Sequence, residues 1–536
     1  DAMSYRFRVV QPGLLMPALL VFFLACESEP EVENRVADAD PGATGSGDGS
    51  VDAAVPVVVL DGAVIDAVDA TPVVVGRSLY VSPTGVDSNE GTKESPLRSI
   101  ITAVDLAEAG DTVWLLDGTY DKTTDKTPAP GMPAPCGQGF GVVVPSGVTV
   151  RAVNPGAVIV SVGGWIGFCL QGGTVRDIDF NLPPNGGVML QTQSGDSTIE
   201  GVTFDNLYCG GGSGWEAAIM TKGSSRLTIN PGRVQNYVGL KGCAFLTIWD
   251  QSSVTVMGGA IDGGEEGTSS GNAFIIIRDA GKLNLVGTRL ATQKHLYGIH
   301  ILGTAELTTS AGTTLSGFLG SAIVARSGQT RVTLAGTTFT ANNTAVLQPF
   351  GYGGPGTIMR IKATDCTLSD NSRGFSSGYG YQIDLDIVNC KLLRNADALL
   401  INAQGTVSVV DSEITGMENG INVTPQSKCA LSVRNTTISD TNHGVTVNCD
   451  ATSTIDLGTL GSPGANTFAA KTANLRALGV GPVIDAIGNT WTASAQGADL
   501  SGKYQAQGAG AILEVTGGSG PNYTLGTIKA RLAQNN

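Results

Sequence analysis

The feature that most constrains this chain is a repeat with a period near 24 residues. Gly312-Thr313-Thr314-Leu315 and Gly336-Thr337-Thr338-Phe339 lie 24 residues apart. Beyond them, apolar residues recur at Phe339, Leu368, Leu392, Ile414 and Ile438, in steps of 29, 24, 22 and 24. A few residues after each comes an asparagine, at Asn342, Asn371, Asn395, Asn419 and Asn442. Each unit reads as a short alternating strand (Val407 and Val409; Leu431 and Val433), a Thr/Ser turn, a second short strand, then Asn with Gly or Ala. A three-sided coil of parallel strands takes about 20–25 residues to go once round, and successive coils hydrogen-bond at ~4.8 Å. One side chain then stacks on its counterpart in the next coil. Turn positions with positive φ favour Asn and Gly, and a stacked Asn column satisfies its own amides along the axis. The pattern predicts a parallel β-solenoid.

Composition agrees with one elongated all-β body rather than several globular domains. Gly is abundant at 74 of 536 residues, with charged residues at 15% and aromatics at 6%. Long helical arrays need more Leu, Glu and Lys than this. The early coils, residues 121–272, are less regular and carry Gly-rich insertions such as Cys209–Gly214 and Asp262–Gly271.

The folded part opens at Leu79-Tyr80-Val81-Ser82-Pro83-Thr84-Gly85. A short helix is expected next, with Ser95 as N-cap, Pro96 in its first turn, and Ile100, Ile101, Val104 and Leu106 on one face. Gly110-Asp111 ends it, before the strand around Trp114-Leu115-Leu116. The run YVSPTGVDSNEGTKESPLRSI (80–100) followed by GDTVWLLDGTY (110–120) resembles the opening domain of a family of exported bacterial right-handed parallel β-helix lipoproteins. That family is related in fold to pectate lyases, and most of it has no assigned activity. The resemblance implies an all-β, right-handed, single-stranded parallel β-helix with an N-terminal capping helix. The β-helix is expected over 76–460, with 76–125 as its N-terminal cap. Residues 461–536 are expected to be a C-terminal cap and tail, since Ala465-Asn466-Thr467-Phe468 and Gly488-Asn489-Thr490-Trp491 resemble the family's closing region.

The N-terminus carries targeting signals. Arg6 and Arg8 precede an apolar run, Val9 to Ala25, that meets Cys26 directly after a small residue. Residues 1–26 read as a lipoprotein signal peptide, with Cys26 the lipidated residue, although Phe23 stands where a lipobox prefers Leu. Its prolines and short length argue against a membrane span. Residues 27–75 hold eleven acids against Arg35 alone and read as an acidic low-complexity tether. The expected setting is the cell envelope, as an outer-membrane lipoprotein or at the cell surface, with the membrane as partner through the lipid. Eight further cysteines, Cys136, Cys169, Cys209, Cys243, Cys366, Cys390, Cys429 and Cys449, suit disulfides between neighbouring coils in an exported protein. Cys366 and Cys390 sit two residues before Leu368 and Leu392, at equivalent positions in adjacent coils. The alternative is a column of buried thiols.

A net charge of −15 without a basic stripe argues against nucleic acid as a partner. Enzymes of the pectate-lyase kind gather acids that hold Ca²⁺, plus an Arg or Lys base, on one outward face, and related hydrolases use two or three Asp. In the regular coils Ile275, His300 and Val324 are expected to stack as outward equivalents, a face without acids, with His300 a surface histidine. Asp177 with Asp179, and Asp384 with Asp386, are two apart and so share a strand face. Each pair either binds Ca²⁺ or works as acid and base, or is a solvated strand face, and no Lys or Arg partner is placed by sequence. The irregular coils supply the candidate ligand-binding set: Trp215, Glu216, Lys222, Trp249, Asp250, Asp262, Glu265 and Glu266. Exposed Trp stacks on the CH faces of sugars, while the bland reading has both Trp filling a widened core. Tyr352, Tyr379 and Tyr381 form a weaker second surface. No GxSxG, HExxH, P-loop or Rossmann fingerprint occurs in a fitting context, and no cofactor is implied beyond Ca²⁺. Two functions remain: a non-enzymatic surface protein that binds carbohydrate or a partner, and a polysaccharide lyase or glycoside hydrolase with its site in the coils at 130–272.

Overall fold

A computed structural model describes residues 76–491 except 122, 125–140, 162–166, 182–187, 206–216, 238–243, 264–272, 293–295, 326, 347–356, 379–380, 425–427, 450–451, 460, 479–483 and 487, together with the strands Leu513–Thr516 and Ala530–Arg531. The signal segment, Cys26 and the tether fall outside the described residues. So do Trp215, Glu216, Glu265, Glu266, Cys136, Cys209, Cys243, Tyr352 and Tyr379.

Each coil lays one strand into each of three parallel sheets. In one coil these are Lys282–Val286, Arg289–Ala291 and Tyr297–Ile301, and the next coil repeats them at Glu306–Thr309, Thr314–Ser316 and Ser321–Ala325. Every inter-coil strand pairing is parallel and nearly all are in register, so one residue type forms a column. In sheet one Leu283, Leu307, Val332, Ile361, Leu385, Val407 and Leu431 follow one another. In sheet two the predicted column Phe339, Leu368, Leu392, Ile414 and Ile438 is in place and continues to Phe468. These columns are buried and make one continuous core. The wider early coils are filled by phenylalanine: Phe168, Phe180, Phe204 and Phe245 contact in sequence at 5.4–5.6 Å between ring centroids. Pairing runs on past residue 460 through Thr467–Ala469, Ala473–Leu478 and Thr490–Trp491, so coils occupy part of the region read as a C-terminal cap.

The first coil is closed by helix α1, Ile100–Leu106, which buries Ile100, Ala103 and Val104. Its N-cap is Ser99, whose Oγ accepts from the Thr102 N–H at 3.3 Å, not Ser95. Pro96 holds the chain extended there, and Leu97 bridges Val81 instead of starting the helix. Asp111, in the turn after the helix, accepts from the Arg77 N–H at 2.6 Å, Arg77 Nε at 3.0 Å and the Glu108 N–H at 2.8 Å. No helix among the described residues is long and apolar enough to cross a membrane.

Between sheets two and three runs an asparagine ladder. The Phe318 N–H donates to Asn342 Oδ1, Asn342 donates to Asn371, and Asn371 to Asn395, at 2.9–3.0 Å. The ladder then departs from the sequence pattern. Asn395 is followed in register by Gly416, while Asn419 lies beside Asp397 and His443 in sheet three. A second ladder turns the corner from sheet one to sheet two. The Cys366 N–H donates to Cys390 Sγ at 3.4 Å, Cys390 N–H to Ser412 Oγ at 3.1 Å, Ser412 N–H to Thr436 Oγ1 at 3.4 Å, and Thr436 N–H to Asn466 Oδ1 at 2.9 Å. Cys366 and Cys390 are therefore buried thiols serving as ladder rungs, not an inter-coil disulfide. Cys429 and Cys449 are buried thiols too, whereas Cys169 is disulfide-bonded.

Candidate functional site

Of the residues singled out from sequence, Lys222, Trp249 and Asp250 meet at one corner. Lys222 comes from the coil before Trp249 and Arg278 from the coil after. Their cationic groups lie 5.0 Å and 4.3 Å from the Trp249 ring. Both faces of the indole are thus occupied by cations, leaving neither for a sugar, and the ring is not in the core either. Asp250 sits just beyond at φ 57°, and its Oδ2 accepts from the Gly223 N–H at 2.9 Å, an intercoil corner tie. Asp262 lies in another sheet and pairs with Arg289 at 3.0 Å. Of the four described members of the set, three meet at this corner and Asp262 does not join them.

Other expectations are corrected. His300 is buried, and its register neighbours are Ile276 and Val324. Ile275 belongs instead to the inward column with Ile299 and Ile323. Phe274 and Ile275 both face the core, so the strict alternation that would put Ile275 outside breaks at that step. The outward residues Ala273, Ile276, Tyr297 and Val324 form a second buried apolar cluster. Tyr381 is also buried. Asp177 and Asp179 do not share a face: Asp177 turns the corner at φ 58° and pairs with Arg151 at 2.9 Å, while Asp179 starts the next strand.

Asp384 and Asp386 keep their shared face, and the coil before supplies the cations that sequence did not place. Ile358–Thr364 and Gln382–Val388 alternate, turning Met359, Ile361, Ile383 and Leu385 inward and their neighbours outward. The register then sets Arg360 beside Asp384 and Lys362 beside Asp386. Arg360 Nε stands 3.8 Å from Asp384 Oδ2, and Thr406 of the following coil donates to Asp384 Oδ1 at 2.9 Å. Arg331 precedes Arg360 in the same column, and it has no ion-pair partner among the described residues. Arg331, Arg360, Lys362, Asp384 and Asp386 make this the described surface where acids and bases converge. The signal that would have found it is the repeat itself, since Arg360 and Lys362 each stand 24 residues before the Asp they meet. Among the described residues no three His, Cys, Asp or Glu side chains are grouped to hold a metal ion.

Comparison with known proteins bears on the fold. Residues 83–133 match the family described as "Protein of unknown function (DUF1565)", and residues 273–438 match "Right handed beta helix region". With three parallel sheets wound coil on coil, these define a right-handed parallel β-helix. The chain is 54% identical over 50 residues to the uncharacterized protein YwoF of Bacillus subtilis, and 48% identical over 54 residues to the pectate lyase PEL9 of Emericella nidulans. Those segments are 9% and 10% of this chain and span only 11% and 13% of the relatives' own length. Among solved structures, a mannuronic acid specific polysaccharide family 6 lyase from human gut microbiota aligns with TM-score 0.39 at 12% identity, over 82% of this chain and 91% of that one. Pectate lyase Pel9A aligns with TM-score 0.23 at 18% identity, over 70% and 78%. At these scores neither speaks to activity.

Proposed function

We propose that this is an exported, lipid-anchored, non-enzymatic β-helix protein of the bacterial cell envelope, whose outward faces bind carbohydrate or a protein partner. The observation carrying this reading is how its outward charges are used. They meet as ties between coils: Arg176–Glu200 at 2.6 Å, Arg226–Asp196 at 2.7 Å, Lys282–Glu306 at 3.2 Å, Arg394–Asp370 at 2.6 Å and Arg434–Asp456 at 2.5 Å. A carboxylate held against a cation acts as a strut, whereas a general base needs a lone pair free toward substrate. The Cys26 signal and the acidic tether support the anchoring.

A second reading, a polysaccharide lyase or glycoside hydrolase, is favoured by one observation: Asp384 and Asp386 stand beside Arg360 and Lys362 on one outward face. That moves the enzymatic alternative from the coils at 130–272 to those at 331–386. The test is to incubate the purified full-length protein with uronic and neutral polysaccharides, following ultraviolet absorbance of unsaturated uronates and new reducing ends. No turnover is expected. Turnover that disappears in Lys362→Ala or Asp384→Asn overturns the non-enzymatic reading.

A further inference from the structure

We propose that the outward face of sheet one at Arg331, Arg360 and Lys362 recognises a single phosphate ester on an otherwise neutral carbohydrate. The proposal rests on the carbohydrate-binding reading above and names its face and ligand class.

The strands Gln329–Ala335 and Ile358–Thr364 leave Arg331, Arg360 and Lys362 exposed on one face. Upstream in the same column the charges close in pairs, Arg226 with Asp196 and then Lys282 with Glu306. There the pairing stops, and Arg331 lies beside Arg360 in register. Like charges at the ~4.8 Å coil spacing repel each other. Glu306, on the other side of Arg331, is held by Lys282, and Arg360 has only Asp384 at 3.8 Å. Arg331 and Lys362 have no side-chain hydrogen bond or ion pair among the described residues. Threonine, which holds the adjoining column at Thr308 and Thr333, would remove the repulsion. The surplus of cations therefore answers a requirement other than stability.

Charge and shape select the ligand. The cations span two coils and are bounded along the axis by acids, Glu306 before them and Asp384 with Asp386 after. A chain with a carboxylate on every unit, lying along the axis, would set one of them against those acids. A single anionic group avoids this, and neutral hydroxyls beside it donate to Asp386. Lys362 stands two residues beyond Arg360, about 7 Å along the strand, so the three cations form a triangle rather than a line. A planar carboxylate offers such a triangle two oxygens. A phosphate monoester offers three, with a charge of about −1.5 to −2 near neutrality. Two forked guanidinium groups and one ammonium point charge suit that shape.

The experiment is calorimetric titration of the full-length protein with glucose 6-phosphate, inorganic phosphate, hexagalacturonate and cellohexaose. Glucose 6-phosphate is expected to bind more tightly than inorganic phosphate or hexagalacturonate, with affinity that falls as salt is raised. Its affinity should also fall as pH drops through about 6, where the phosphate loses its second charge. Arg331→Gln/Arg360→Gln should weaken it at least tenfold, while Arg331→Lys/Arg360→Lys keeps the charge and most of the affinity. Relief of the repulsion predicts that Arg331→Gln melts no lower than the native protein. Undiminished binding in the glutamine variant overturns the site, as does hexagalacturonate or inorganic phosphate binding as tightly as the sugar phosphate. A lower melting temperature in Arg331→Gln overturns it too, by making the arginine structural. Should cellohexaose bind and glucose 6-phosphate fail, the site falls and the carbohydrate-binding reading stands. Turnover in the assay above overturns the non-enzymatic reading separately, whatever the phosphate site does.

Discussion

The side-chain amide of Asn371 and its own backbone N–H both donate to Oδ1 of Asn395, each at 3.0 Å. The same double contact joins Asn342 to Asn371. Asn371 is 2% exposed, so no water replaces a lost partner. Asn371→Ala removes the acceptor for two donors of Asn342. Stranded buried donors cost about 1–3 kcal/mol each, so a loss of about 3 kcal/mol is expected in denaturant unfolding. A loss below about 1 kcal/mol would show the ladder to be dispensable.

The Lys222–Trp249–Arg278 stack is read as structural. Each cation–π contact is worth about 0.5–2 kcal/mol. Trp249→Ala is expected to lower stability by about 1–3 kcal/mol while leaving oligosaccharide titrations unchanged. A loss of sugar binding without a change in melting would return the indole to the ligand-binding set.

Burial pushes the Cys429 thiol up to about 12, and the neighbouring Cys449 adds to the shift. The hydrogen bond to Cys366, then burial, pushes Cys390 up as well. In the native protein Cys390 and Cys429 should therefore resist iodoacetamide up to about pH 10, and react rapidly once the chain is unfolded. The folded pKa of Cys429 lies above the ordinary value of 9.0, so its contribution to stability is full below about pH 9 and falls away between about 9 and 12. Because Ser412 and Thr436 serve as the next rungs, Cys390→Ser is expected to cost no more than about 1 kcal/mol. Mass spectrometry with and without reductant checks the thiol state.

Asp111 holds the first coil shut. The Glu108 N–H, then the backbone and guanidinium of Arg77, hold its carboxyl below the ordinary range. A depressed folded pKa adds stability that is present above about pH 4 and lost as pH falls below it. Asp111→Asn should destabilise the first coil near neutrality by about 2–3 kcal/mol and flatten the acid limb of the unfolding profile. Hydrogen exchange in Ser78–Val81 and Thr112–Leu115 reads this locally.

The coils were legible because stacking imposes one strong regularity. Phe339 through Ile438 could be aligned from spacing alone, since each column lies on the core. Positions where alternation fails were not legible, and Phe274 with Ile275 is the example: two inward residues in succession exchange the expected faces of Ile275 and Ile276. The charged face was half legible. Asp384 and Asp386 show themselves as a two-apart pair, but Arg360 and Lys362 become partners only once the coil length between them is known. The irregular coils attract attention because loops on rigid scaffolds usually carry function. In the described part of that region, Trp249 and Asp250 instead bind one coil to the next.

The rungs between coils join residues 22, 24, 29 or 30 positions apart. Bringing those partners together costs the same loop entropy at every coil, so the conformational search does not grow steeper as coils are added. Each finished coil presents a template edge to the next. The length of such a molecule is then an evolutionary variable: duplicating one period lengthens it, and deleting one shortens it, with every other contact left in place.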